Sequence, residues 1–331
     1  MAAARRGRRP PGGRRGRRPP AQHRARRRRR RDRLPARQPP GRAVIPPAFG
    51  DTEGQPVACY DATAVPHSAS RMREVPSLMA DTLEEIRRDC FEARAGDPGT
   101  IVAVLVTPVR SDADYGLVFV AADGPLGGCG EASMFAAMLV LGSRPEVRLE
   151  TGAGLITARP SGEAGIALTM PPGSPRIDAA DVRCEGRRLR VRTVAAGGNV
   201  FAAVSAAELA LEISAAEAHV LIERGSALLS ALRAAAPGPA RPNMLLLTTP
   251  VSSARTTSAV IWGDAIMNMG PCGTGTCARY ILAVEDGDVV PGSRLAHVSP
   301  FDNAFTASSV DLGSPDGPIQ IEISGRVTVT G

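Results

Sequence analysis

The chain has 331 residues, room for one large domain or two ordinary ones with a sizeable core. All 40 of its basic residues are Arg, so it has no lysine for self-contained pyridoxal-phosphate chemistry and none for a Walker A phosphate loop. The formal charge of +7 hides two opposites: residues 1–42 carry 18 Arg against one acid, and the remainder carries 22 Arg against 32 acids. An acidic body therefore follows a strongly basic segment.

Residues 1–43 are rich in Arg, Pro and Gly, lack apolar periodicity and are expected to be a disordered extension. Such a run of guanidiniums binds nucleic acid or anionic lipid without specificity. The body lacks the aromatic and basic strand pattern of a specific RNA platform, so no specific nucleic-acid partner is expected. No apolar segment follows the arginines as in a secretory signal, and no 18-residue apolar run exists. The expectation is a cytoplasmic protein with no membrane span.

From Val44 onward, apolar segments alternate with turns. IVAVLVTPV (101–109) and YGLVFVAAD (115–123) read as strands joined by the turn RSDAD. GPLGGCGE then leads into ASMFAAMLVLG (132–142), of helical length and without a polar face, which marks a buried helix. VRLET (147–151), GLITARP (154–160) and GIALTM (165–170) read as strands, and PPGSPR (171–176) as a connection. In the second half, LRVRTVAAGGNVFAAVSAAEL (189–209) reads as strand, glycine turn and strand. SAAEAHVLIERGSALLSALRAA (214–235) reads as a helix with Ser214 as N-cap and Glu217 three residues on. NMLLLTTP (243–250) and SAVIWG (258–263) read as strands, and PCGTGT (271–276) leads into the apolar helix CARYILAVEDG (277–287). Each half thus runs from strands to a Gly-flanked Cys to a buried helix, the mark of an internal repeat.

Cys129 and Cys272 are those two cysteines. Where a glycine turn enters a helix, free backbone N–H groups and the positive end of the helix dipole converge. Two effects are expected: a lowered thiol pKa and a site for a carboxylate. If the halves face each other, one carboxylate lies between two helix N-termini with a sulfur on each side of its α-carbon. That arrangement performs two-base proton transfer with no cofactor and no metal, the intermediate being stabilised by converging N–H donors. The competing expectation for any free Cys is a small buried hydrophobe, and it is the one held for Cys59, Cys90, Cys184 and Cys277.

GDAIMNMGPCGTGT (263–276) resembles the second-cysteine signature of the proline racemase family, usually GDxQxDRSPCGTGT. TPVRSDADYGLVFVAADGPLGGCGEASMFAA (107–137) and AAGGNVFAAVSAAEL (195–209) resemble two further stretches of that family, and DTEGQP (51–56) faintly resembles its opening. The resemblance spans residues 48–331. It implies an α/β (α+β) protein with the diaminopimelate epimerase-like fold. In that fold two similar halves each curl a mostly antiparallel sheet around a central helix, with the active site between them. The implied halves are residues 44–185, joined by a returning segment 318–331, and residues 186–317. The resemblance further implies that Cys129 and Cys272 are the acid/base pair. Gly130, Glu131, Ala132, Asn268, Gly273, Thr274 and Gly275 then fall in the substrate-binding positions. The family's dehydratases carry Thr at the second Cys, so Cys272 favours racemisation, epimerisation or another two-base proton shift over simple dehydration.

Two departures bear on the substrate. The family's His after the first Cys-Gly is Glu131, and its Asp-Arg-Ser before Pro-Cys is Asn268-Met269-Gly270. Asn268 brings no charge to a substrate ammonium, and Met267 and Met269 make the neighbourhood more apolar. Glu131 either replaces the lost carboxylate from the opposite half or simply complements the dipole of its own helix. The leading expectation is a cofactor-independent amino-acid racemase or epimerase acting on a small proline-like or modified amino-acid carboxylate, with a homodimer as the candidate assembly. The alternatives are a two-thiol double-bond isomerase or dehydratase, and a degenerate non-catalytic binding protein.

Overall fold

The computed structural model describes residues 46–330 apart from 94–95, 173–176, 185, 237–240 and 312–318. The Arg-rich extension expected at residues 1–43 lies outside the described residues. The strands of the first part are β1 (Ala48–Thr52), β2 (Gln55–Asp61), β3 (Ile101–Val106), β4 (Tyr115–Ala121), β5 (Gly124–Leu126), β6 (Val147–Thr151), β7 (Gly154–Ser161) and β8 (Gly165–Thr169). Those that follow are β9 (Ile177–Cys184), β10 (Arg187–Ala196), β11 (Asn199–Ser205), β12 (Met244–Thr248), β13 (Arg255–Trp262), β14 (Ile266–Met267), β15 (Leu295–Val298), β16 (Ala304–Asp311) and β17 (Gln320–Thr330). The α-helices are α1 (Val75–Leu78), α2 (Ala80–Arg88), α3 (Gly130–Leu141), α4 (Ala218–Ala235) and α5 (Gly273–Glu285).

Pairing in the order β1–β2–β3–β4–β6–β7–β8–β17 and back to β1 closes a ring of strands. Helix α3 packs against β1, β2, β3, β6, β7, β8 and β17 of that ring. A second run of pairing, β9–β10–β11–β12–β13–β15–β16–β17, packs on α5. Most pairs are antiparallel; β2–β3, β4–β6, β11–β12 and β13–β15 are parallel. Strand β17 belongs to both arrangements. Gln320–Ser324 pairs with β16, Glu322–Arg326 with β8, and Val327–Thr330 with β1.

The continuous apolar run of β3 follows from its being covered on both faces. Ile101, Ala103 and Leu105 point into the cluster around α3, while Val102, Val104 and Val106 meet Met72, Val75, Met79 and Leu83 of the helical segment outside the ring. Helix α3 has no polar stripe because the ring surrounds it: Met134, Phe135, Ala136 and Ala137 are fully buried. Helix α4 covers the outer face of β12 and β13 through Leu221, Leu228 and Leu229.

Two helix starts differ from the sequence expectation. Helix α4 begins at Ala218 with Glu217 in the N-cap position, so Ser214 does not cap it. Residues 214–217 instead make a tight turn, in which the Glu217 N–H donates to the Ser214 carbonyl. Helix α5 begins at Gly273 rather than Cys277, because Cys272 caps it and draws Gly-Thr-Gly-Thr into its first turn.

Candidate active site

Cys129 and Cys272 occupy the N-cap positions of the two buried helices, and their surroundings repeat. Each sulfur accepts from the backbone N–H three residues on, Ala132 at 3.4 Å and Gly275 at 3.3 Å. Each carbonyl accepts from the hydroxyl four residues on, Ser133 at 2.6 Å and Thr276 at 2.8 Å. The helix ends abut. A Cβ built on Gly130 would lie 2.7 Å from the Gly273 Cα, and one built on Gly273 would lie 2.6 Å from the Gly130 Cα. Only glycine allows backbone to approach backbone this closely. Cys272 takes φ 63° and ψ 111°, a left-sided conformation that a non-glycine residue keeps only when its surroundings hold it there.

Between the two helix ends lies a carboxylate supplied by the protein. Glu131, fully buried in the first turn of α3, reaches across to α5. Its Oε2 accepts from the Gly273 N–H at 2.9 Å and lies 3.5 Å from the Cys129 sulfur, which donates to it. Its Oε1 accepts from Asn268 Nδ2 at 2.9 Å. The other end of that amide is held by Trp262, whose Nε1–H donates to Asn268 Oδ1 at 2.6 Å. Asn199 ties the approaches to α3 and α5 together nearby: its Nδ2 donates to the Gly128 carbonyl at 2.9 Å and to Thr274 Oγ1 at 3.1 Å.

The expected fall in thiol pKa does not occur. Burial pushes the Cys129 thiol well above its ordinary value, and the Glu131 charge and Cys272 push the same way; the Ala132 amide opposes them. Cys272 is raised as well, by burial first and Glu131 second, against the Thr274 hydroxyl and the Gly275 amide. Desolvation and a neighbouring carboxylate outweigh the helix ends. Glu131 itself is raised by burial, while the backbone amides of Gly273, Glu131 and Cys272 and the Cys129 thiol pull it down. Behind α5, His297 Nδ1 lies 2.7 Å from Thr276 Oγ1, and burial with the Arg279 charge lowers this imidazole to about 3.

The structure brings together Cys129, Gly130, Glu131, Ala132, Asn268, Cys272, Gly273, Thr274 and Gly275. It divides their expected duties differently. The amides of Ala132 and Gly275 face the sulfurs instead of a carboxylate. Thr274 binds Asn199 through its hydroxyl and stands 3.6 Å from the Cys272 sulfur. Met267 is buried, but Met269 is 41% exposed and does not add to the apolar wall; its backbone N–H donates to Gln55 Oε1 at 2.9 Å. Cys59, Cys90 and Cys277 are buried, as expected of small hydrophobes; the side chain of Cys184 lies outside those described.

Sequence reasoning missed Thr52, Gln55, Asn199 and Trp262. Thr52 Oγ1 donates to the Glu131 carbonyl at 3.1 Å, placing the DTEGQP turn directly on the site. Signals for two of them were present: Trp262 is the chain's only Trp, and Asn199 follows two glycines. Among the described residues, no cluster of His, Cys, Asp and Glu could hold a metal ion, and no helix is long and apolar enough to cross a membrane.

The family profile described as Proline racemase matches residues 50–331. A 4-hydroxyproline 2-epimerase from Streptosporangium roseum is 26% identical over 304 residues, covering 85% of this chain and 91% of its own. Proline racemase A from Trypanosoma cruzi is 24% identical over 299 residues, covering 77% and 66%. The crystal structure of a hydroxyproline epimerase from Agrobacterium vitis with bound trans-4-hydroxy-L-proline superposes with a TM-score of 0.70 at 20% identity, covering 86% of this chain and 89% of that one. The fold is the expected diaminopimelate epimerase-like one. The chain belongs to the proline racemase family and is an isomerase of that family.

Proposed function

We propose that the protein is a cofactor-independent racemase or epimerase in which Cys129 and Cys272 form an acid/base pair at the α-carbon of a proline-like or modified amino acid. One observation carries the reading: two thiols cap two helices whose N-termini abut, with a single carboxylate group lodged between them. The names of the relatives, 4-hydroxyproline 2-epimerase and proline racemase, support the substrate class. One thiolate takes the α-proton while the opposite thiol delivers its own, and the roles are exchanged for the reverse direction. Negative charge builds on the substrate carboxylate during the transfer, and the Gly273 N–H, the donor that holds the Glu131 carboxylate in the structure, would stabilise it in Glu131's place. The two lobes are taken as residues 44–185 with 318–331, and residues 186–317. The proposed location is the cytoplasm, where the thiols of Cys129 and Cys272 stay reduced, with a homodimer as the proposed assembly.

The test is solvent exchange. In D2O, L-proline and trans-4-hydroxy-L-proline are incubated with the protein, and the α-proton signal and the stereoisomers are followed. Inversion with deuterium incorporation is expected, and Cys129→Ser and Cys272→Ser should each abolish inversion while sparing one-sided exchange. Full inversion by either variant, or no exchange with any cyclic amino acid, sinks the proposal.

Asn268 favours a second reading. It carries no charge, and both ends of its amide are engaged by Trp262 and Glu131, so it offers no anion of its own to a substrate ammonium. The same thiols would then carry a proton from one carbon to another, as a double-bond isomerase, or, as a dehydratase, one would take the α-proton while the other protonates a departing substrate hydroxyl, which leaves as water. An ultraviolet-absorbing product without inversion would select it. Ligand binding without turnover would select the non-catalytic binding protein.

A further inference from the structure

We infer that Glu131 is an internal competitor for ligand carboxylates: its side chain holds the paired helix ends, and so determines which acids the site accepts. The inference rests on the reading of this place as a carboxylate site between two thiols. A first-turn glutamate ordinarily complements the N-terminus of its own helix. Glu131 instead spans to the other helix, and its bond partner Gly273 is 142 residues away in sequence. Both of its oxygens are engaged, one by the Gly273 N–H and one by Asn268, and Asn268 is itself fixed by Trp262. The carboxylate, the amide and both sulfurs are buried, so the Glu131 charge acts in a medium of low dielectric.

A ligand carboxylate needs the same Gly273 N–H. Two carboxylates cannot share that donor at hydrogen-bond distance without strong repulsion. An acid with no cationic group therefore meets the full penalty. An α-amino acid meets less of it, because its ammonium can face the Glu131 carboxylate while its own carboxylate takes the amides. Glu131 thereby discriminates zwitterions from plain acids of the same shape, a task for which the uncharged Asn268 is unsuited.

The experiment compares two ligands of similar shape, trans-4-hydroxy-L-proline and cyclopentanecarboxylate. Binding is measured by titration calorimetry to the full chain and to Glu131→Ala and Glu131→Gln. Glu131→Ala should tighten cyclopentanecarboxylate about tenfold, the scale of one charge-assisted hydrogen bond, and tighten the amino acid less. Glu131→Gln, nearly the same shape, keeps the fold if the alanine variant melts, and should shift the ratio of the two affinities in the same direction. Unchanged or weaker cyclopentanecarboxylate binding in the folded variants overturns the inference. Calorimetry does not depend on turnover, so a failure of two-thiol chemistry in the exchange assay remains distinguishable from a failure here.

Discussion

Gly130 and Gly273 face each other at the starts of α3 and α5 with no space for a methyl group on either. This contact sets how near the two capping thiols come.

Gly130→Ala and Gly273→Ala should each destabilise the fold by about 1–3 kcal/mol, the cost of overpacking a site that cannot yield. The measurement is the urea midpoint at constant slope. The double variant should cost less than the sum of the singles, since one methyl already forces the helix ends apart. Unaltered midpoints would contradict the contact.

Thiol reactivity should report the charge of Glu131. Burial and this carboxylate both raise Cys129 and Cys272 above the ordinary 9.0, so alkylation by iodoacetamide should still be rising at pH 9. Glu131→Gln removes the negative charge, which favours thiolate and moves the profile to lower pH. A plateau below pH 8 in the unsubstituted protein would contradict the raised values.

Asn268→Asp alone should not improve the site. Asn268 Nδ2 is 2.9 Å from Glu131 Oε1, so an aspartate here would set two buried carboxylates against each other. One must hold a proton, and the variant should be less stable at pH 8 than at pH 5 relative to the parent, as read by thermal melts. Equal effects at the two pH values would show that the carboxylates do not meet.

Trp262 is the chain's single tryptophan and is 1% exposed, so all indole emission reports this site. Emission should be blue-shifted and resistant to iodide in the native protein. Trp262→Phe leaves Asn268 Oδ1 without its donor, at about 1–3 kcal/mol for a buried unsatisfied polar group. Chemical denaturation, followed by circular dichroism, gives that value.

His297 should govern part of the acid sensitivity. Its folded pKa is depressed from 6.5 to about 3 by burial and by Arg279. The unfolded chain therefore binds the extra proton first, and stability falls as pH drops from 6.5 towards 3, by on the order of 5 kcal/mol for the whole window. His297→Asn should flatten this slope; an unchanged slope would show that the imidazole is not held neutral.

What the sequence made legible and what it concealed have separate physical causes. Runs such as IVAVLV and the apolar stretch after Cys129 announce themselves because both faces are covered. The glycines around each Cys likewise mark helix entrances. Residues 72–88 were not read as helical, although the two-sided β3 needs such a cover. Ser214 looked like a cap because capping residues also start turns. The thiol pKa values went the other way because a helix-end argument counts N–H donors and dipoles but not burial. The reach of Glu131 was beyond local pattern, since its partner belongs to the other lobe.

Strand β17 has a consequence for how the molecule is made. Until residues 320–330 leave the ribosome, β1 and β8 stand as bare margins of an unfinished cylinder, and α3 lacks part of its wall. Assembly must wait for contacts between distant parts of the chain, which slows it. Ile323 of this strand lies against both Gly130 and Gly273, so the seat on which the two capped helix ends meet is complete only once β17 is in place.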